Sequence, residues 1–140
     1  TRNSGRGFAT IPVRYEEITI PLPVNQHKTS TVAVYRGVNR QSPIVAHSTG
    51  FGGTTTITAP SVTAVAGSRL VFVVGVCSNE TGAPWTGPAG MTQRAVVDFE
   101  AWHGMVFYDQ AVGAGATGPR TAVRAQPAHQ SAILVALRPA

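Results

Sequence analysis

Six carboxylates make up the acidic complement of this chain: Glu16, Glu17, Glu80, Asp98, Glu100 and Asp109. Asp98 and Glu100 stand two apart, and on a strand that spacing puts both on one face with Cα atoms about 6–7 Å apart. Retaining glycosidases use carboxyl groups about 5–5.5 Å apart, so the spacing permits acid–base chemistry. Acids on an outward strand face are also ordinary partners for arginine across a sheet, and Arg94, Arg120 and Arg124 are available. The ion-pair reading is the stronger one, and no catalytic residue is assigned.

The other reactive side chains form no constellation. His27, His47, His103 and His129 are widely spaced and fall in expected loops or turns. A zinc site ordinarily shows a close pair such as H-x3-H or C-x2-C, and none occurs. Cys77 is the single cysteine, so no intrachain disulfide can form. At the end of the run Leu70 to Val76 it reads as a small core filler. There is no G-x-S-x-G elbow for a nucleophile and no glycine-rich loop opening a helix for phosphate. Asn79-Glu80-Thr81 satisfies a glycosylation sequon, which matters only in a secretory pathway that uses it. No cofactor and no metal is expected. Trp85, in Ala83-Pro-Trp-Thr-Gly-Pro88, reads first as a plug for one end of the fold and second as a stacking platform. Trp102 beside His103 falls at an expected hairpin tip, where a tryptophan is a candidate binding anchor.

The elements that must position these residues are strands. Hydrophobic residues make up 43% of the 140 residues and charged ones only 12%, the reverse of a disordered chain. Val, Ala and Thr dominate, and frequent Gly and Pro break the chain into short pieces. The net charge of +5 comes from ten scattered arginines and Lys28. No clustered patch or nucleic-acid motif accompanies them, so specific nucleic-acid binding is not expected and an acidic protein or polysaccharide surface is the better match. No run approaches the ~18 apolar residues that span a bilayer. The start at Thr1, with no signal peptide, is expected to follow initiator-Met removal or an earlier cut.

Thr1 to Thr10 is polar, and residues 1–14 are expected to form an extended arm ahead of one domain, 15–140. Ile18, Ile20 and Leu22 alternate with Thr19, Pro21 and Pro23, which suits an edge or irregular strand. Further strands are expected at Thr29–Val38, at Thr54–Val65 with a break at Pro60, and at Arg69–Cys77. The last lacks alternation and reads as a central strand covered on both faces. Gln41–Gly53 and Ser78–Gly90 read as loops. Gln93–Phe99, with Ala95, Val97 and Phe99 inward, is joined through Ala101–Gly104 to Met105–Gln110. Arg120–Ala125 and Ser131–Leu137 follow the Gly-Ala loop Gly113–Gly118. The count is about eight strands, an all-β, jelly-roll-like antiparallel sandwich with no helix. Ser30–Arg36 and Ser131–Arg138 echo one another, which would suit two duplicated halves.

One order of short signatures resembles a known group. Ala33-Val-Tyr-Arg-Gly-Val38 is followed by Thr58-Ala-Pro-Ser-Val62 and Ala66-Gly-Ser-Arg-Leu-Val71. Then come Trp85-Thr-Gly-Pro-Ala-Gly-Met-Thr-Gln-Arg94, Asp109-Gln110, Gly115-Ala-Thr-Gly-Pro-Arg-Thr121 and Val135-Ala-Leu-Arg-Pro139. Over residues 30–140 this is similar to β-sandwich domains of virion proteins of tailed phages of high-GC actinobacteria, and of related bacterial surface proteins. The resemblance implies a structural, non-enzymatic role in the virion, assembled in the host cytoplasm, first as a capsid decoration or minor capsid protein. It implies that Trp85 and the Pro-Ala-Gly turn are architectural. The expected partners are capsid or tail proteins of the same particle, with self-association or a surface glycan as further candidates and no membrane. Arg2, Arg6, Arg14, Trp102 and His103 are the candidate partner-binding residues. A carbohydrate-binding adhesion module, stacking sugars on Trp102, Trp85 or Tyr108, is the alternative.

Overall fold

The structure, a computed structural model, describes residues 32–77, 85–99 and 103–140, with only the backbone at 98, 99 and 103. Its elements are ten β-strands: β1 (Ile44–Gly52), β2 (Thr56–Ala59), β3 (Thr63–Ala64), β4 (Ser68–Cys77), β5 (Trp85–Thr86), β6 (Thr92–Phe99), β7 (His103–Val112), β8 (Gly115–Ala116), β9 (Arg120–Arg124) and β10 (His129–Leu137). All pair antiparallel. A five-stranded sheet runs β1-β10-β4-β7-β6, a three-stranded sheet β2-β9-β5, and β3 pairs with β8. The chain repeatedly crosses between layers, from β1 to β2, from β4 through β5 to β6, and from β9 to β10, which is how an all-β sandwich is closed.

The inner face of the large sheet carries Leu70, Phe72 and Val74 from β4, Val106 and Tyr108 from β7, and Ala132, Leu134 and Ala136 from β10. Ile57, Ala59 and Ala122 of the smaller sheet close over them, with Val62 and Ala64 alongside. Phe72, Leu70, Leu134 and Val74 are wholly buried, each contributing about 1.5–3 kcal/mol by leaving water. Small residues set opposite large ones let the layers interdigitate. At one corner they meet backbone to backbone: a Cβ at Gly50 would fall on the Thr58 carbonyl oxygen.

The expectations meet this structure unevenly. The break at Pro60 separates β2 from β3; β4 lies central in its sheet, but the expected cover on both faces is incomplete, since Val73, Gly75 and Val76 are half-buried and Cys77 is exposed. Gln41–Gly53, expected as a loop, contains β1, because pairing with β10 supplies ladder partners that outweigh its Ser, Thr and Gly content. Thr29–Val38, expected as a strand, shows within residues 32–38 only an isolated bridge, Val38 to Pro139. Val32 and Val34 are 81% and 83% exposed. The echo between Ser30–Arg36 and Ser131–Arg138 therefore has no structural counterpart in residues 32–36. In β6 the pairing reverses the expected facing, although Val96 stays 52% exposed on this edge strand as expected. A register shift between Gln93 and Ala95 pairs Ala95 with Phe107 and Val97 with Met105, on the outer face, while Val96 pairs with inward Val106. One inserted residue moves every following side chain to the other side. The expected strands before residue 29, the arm, and most of the Ser78–Gly90 loop lie outside the described residues.

Candidate functional site

The two ends of the large sheet differ in chemistry. At one end Asp109 points to the outer face yet is only 4% exposed. Its Oδ1 accepts hydrogen bonds from Arg94 Nε at 2.9 Å and Arg69 Nη1 at 3.4 Å, and its Oδ2 accepts one from the Tyr35 hydroxyl at 3.3 Å. The register shift in β6 brings Arg94 to this position, and cross-strand pairing of β4 with β7 sets Arg69 opposite Ala111, two residues from Asp109. Both guanidinium groups keep much of their surface in water, so each pair contributes modestly and the cluster acts chiefly to fix geometry. Burial, then the Asp109 charge, raises the Tyr35 pKa above its ordinary value. Beyond Tyr35 the chain is pinned by Ala140 N–H donating to the Gly37 carbonyl and Asn39 N–H to that of Arg138. A hollow of about 310 Å³ lies here, bordered by Tyr35, Gly67, Arg69, Asp109, Leu137 and Pro139. The carboxylate, held by two cations and a phenol, ties Tyr35 to the sheet.

At the opposite end a more open hollow of about 370 Å³ is bordered by Gly75, Cys77, Gly104, Met105, His129 and Ser131. Two of these positions carry no side chain, which makes the depression. Phe51, paired with Ser131 on edge strand β1, is 81% exposed beside it. Register also sets Cys77 between His129 of β10 and His103 of β7. The His129 ring leans over Gly53, 3.7 Å from where a Cβ would sit there. Among the described residues no group of three His, Cys, Asp or Glu could hold a metal ion.

His103 thus opens β7 at the hollow end. Arg2, Arg6, Arg14, Trp102 and Glu100 lie outside the described residues. The backbone of Asp98 sits at the register position of Gly104. The expected pairing of Asp98 and Glu100 with arginine lies outside the described side chains; the arginines have the following described partners. Arg94 bonds Asp109. Arg120 donates to the carbonyls of Thr117, Gly118 and Pro119 and to Gln110 Oε1. Arg124, 5% exposed, lies with its guanidinium carbon 5.1 Å from the Trp85 ring centre, a cation–π contact strengthened by desolvation.

That contact, with the half-buried Trp85 packed against the core, supports the plug reading. Tyr108 is no sugar platform: it is 2% exposed and stacks on Phe72 with ring centres 6.3 Å apart. Burial raises its pKa, and its hydroxyl has no hydrogen-bond partner. The Pro88-Ala-Gly turn is closed by Met91 N–H donating to the Pro88 carbonyl, with Gly90 at φ 78°, a conformation glycine adopts without strain. Sequence reading missed Phe51, since it lay in an expected loop, and missed the Tyr35–Asp109 link, which joins residues 74 apart.

No protein-family model matches the chain, and no curated protein sequence matches it. Among solved structures it is similar to the tripod (BppUct-A-L) from the baseplate of bacteriophage Tuc2009. The two are 14% identical, with 93% of this chain and 84% of that one covered and a TM-score of 0.45. At that identity and TM-score the likeness transfers no function.

Proposed function

We propose that this chain is a structural component of a tailed-phage particle that works by docking onto other proteins of the same virion. The head surface is the first site of attachment, as a decoration or minor capsid protein. The observation that carries a docking role is the open end of the large sheet. There a bare hollow and the exposed Phe51 ring stand together, at the end where β7 begins with His103. An exposed aromatic beside a concavity is the usual form of an interface anchor. Two buried charged groups of the body, Asp109 and Arg124, are occupied in holding the fold. Trp102, and Arg2, Arg6 and Arg14 of the arm meeting acidic groups on the neighbour, are the further contacts of this proposal.

Purified particles test this. The protein is expected to copurify with them, and labelled antibody is expected on heads. Phe51→Ala and Trp102→Ala, or removal of residues 1–14, are expected to lower occupancy while the isolated protein stays folded. Label on tails alone would move the attachment site. Absence from particles would end the virion reading. Phe51 also favours a second reading, adhesion to a surface glycan, in which glycan-array binding disappears with Phe51→Ala.

A further inference from the structure

The hollow at the Asp109 end is lined by Arg36, Arg69 and Arg138 and by a single carboxylate, Asp109. Arg94, bonded to that same carboxylate, adds a fourth guanidinium. These charges are layered. Asp109 is 4% exposed and both its oxygens are bonded, whereas the Arg69 and Arg94 side chains keep 41% and 50% of their surface. Arg36 is exposed, and no described residue bonds its guanidinium. Arg138 is half-buried and uses only Nε, on the Ser42 carbonyl at 3.2 Å, which leaves its two terminal nitrogens for another acceptor. Gly37 at φ 72° and Gly67 at φ 76° bring backbone to the wall and put no side chain into the space. One buried carboxylate thus stands beneath a mouth of positive charge that it cannot balance.

We infer that this hollow binds an acidic peptide segment of another protein, whose carboxylates are held by Arg36, Arg69 and Arg138. A planar guanidinium offers paired N–H donors that match a carboxylate in geometry as well as in charge. The rim decides which acidic partner fits. Val34, Val38 and Pro139 line the hollow together with the arginines, and Val34 is 83% exposed. Apolar side chains flanking the acids of a peptide find contact there. Single-stranded nucleic acid instead stacks its bases on exposed rings. Tyr35, the aromatic residue of this lining, is half-buried with its hydroxyl bonded to Asp109. A duplex needs cations tracking its backbone, whereas a hollow of about 310 Å³ takes a few side chains and lies at the small end of ligand pockets. The site is at the end of the sheet away from Phe51 and belongs to the isolated protein, so it stands apart from the virion reading.

Titration of the full chain with a capped hexaglutamate peptide, followed by NMR of backbone amides and arginine Nε–H groups, tests it. Shifts are expected at Gly37, Val38 and Gly67 and at the Arg36 and Arg138 side chains, fading as salt rises to about 0.5 M. Arg36→Gln is expected to weaken binding about two- to fivefold with an unchanged thermal midpoint. Adding Arg138→Gln is expected to bring the loss to about tenfold, and Arg36→Glu to weaken binding more than Arg36→Gln does. Absence of shifts at these amides in low salt overturns the inference. Binding that survives Arg36→Gln and Arg36→Glu undiminished, with shifts at Arg2, Arg6 and Arg14 instead, overturns it too. A DNA oligonucleotide of equal charge that binds more tightly at Gly37 and Gly67 overturns the choice of a peptide.

Discussion

The two ends of the five-stranded sheet use the same strands for opposite purposes. At the Asp109 end a carboxylate, two guanidinium groups and a phenol from four separate segments satisfy one another. At the hollow end the same strands present Gly75 and Gly104, and Phe51 faces solvent beside them. Polar groups that meet with good geometry rigidify a site, whereas a concavity beside an unpacked ring leaves surface for a partner. One sheet thus carries a clamp at one end and a hollow at the other, and the difference lies in which side chains each row receives.

The largest expected effect comes from disturbing packing behind the clamp. A Cβ at Gly87 would fall within the Tyr108 ring, so Gly87→Ala is expected to cost about 2–3 kcal/mol or more in chemical denaturation. Asp109→Ala follows, at about 1–2 kcal/mol, because its arginine partners can return to water while the Tyr35 tether is lost. Proteolysis near Val34 is expected to quicken in this variant. If it does not, the clamp is decorative.

Alkaline pH should act at the same end. The Tyr35 and Tyr108 pKa values are both raised in the folded state, so the neutral phenol is the form that folding favours. Their contribution is complete below the ordinary value of 10.0 and declines as pH rises through the folded pKa values. Thermal unfolding midpoints are therefore expected to fall above about pH 10. Tyr108→Phe should flatten that fall and change stability at neutral pH by no more than about 0.5 kcal/mol, since its hydroxyl has no partner to lose. A small stability effect is also expected at the hollow. A Cβ at Gly75 meets only Ser131 Oγ, at 3.4 Å. Gly75→Ala should change stability by less than about 1 kcal/mol yet reduce occupancy on particles. A large loss of stability there would erase the contrast between the ends.

Local patterns revealed most of the strands, and the reason is visible in particular residues. The Arg69–Cys77 run is central because only a strand flanked on both sides can afford so few polar positions, and Pro60 breaks its strand because it has no donor. Where tertiary pairing overrides composition the pattern misleads. Ile44–Gly52 is a strand through β10 alone, and the register shift after Gln93 turns β6 over with no signal in its alternation. Of the candidate site, His103 at the start of β7 could be named from the sequence, while Trp102 lies outside the described residues. Phe51 and the Tyr35–Asp109 link could not, because each depends on neighbours far away in the chain.

By itself, then, the sequence determined an all-β body of short strands, because propensity, turn chemistry and binary pattern act over a few residues; the architectural part of Trp85 and its turn was what the resemblance implied. Only the tertiary structure decided which strands are neighbours, which face each side chain takes, and where Asp109 finds its partners. Those are properties of register, and register is set by contacts between segments that no short window of sequence contains.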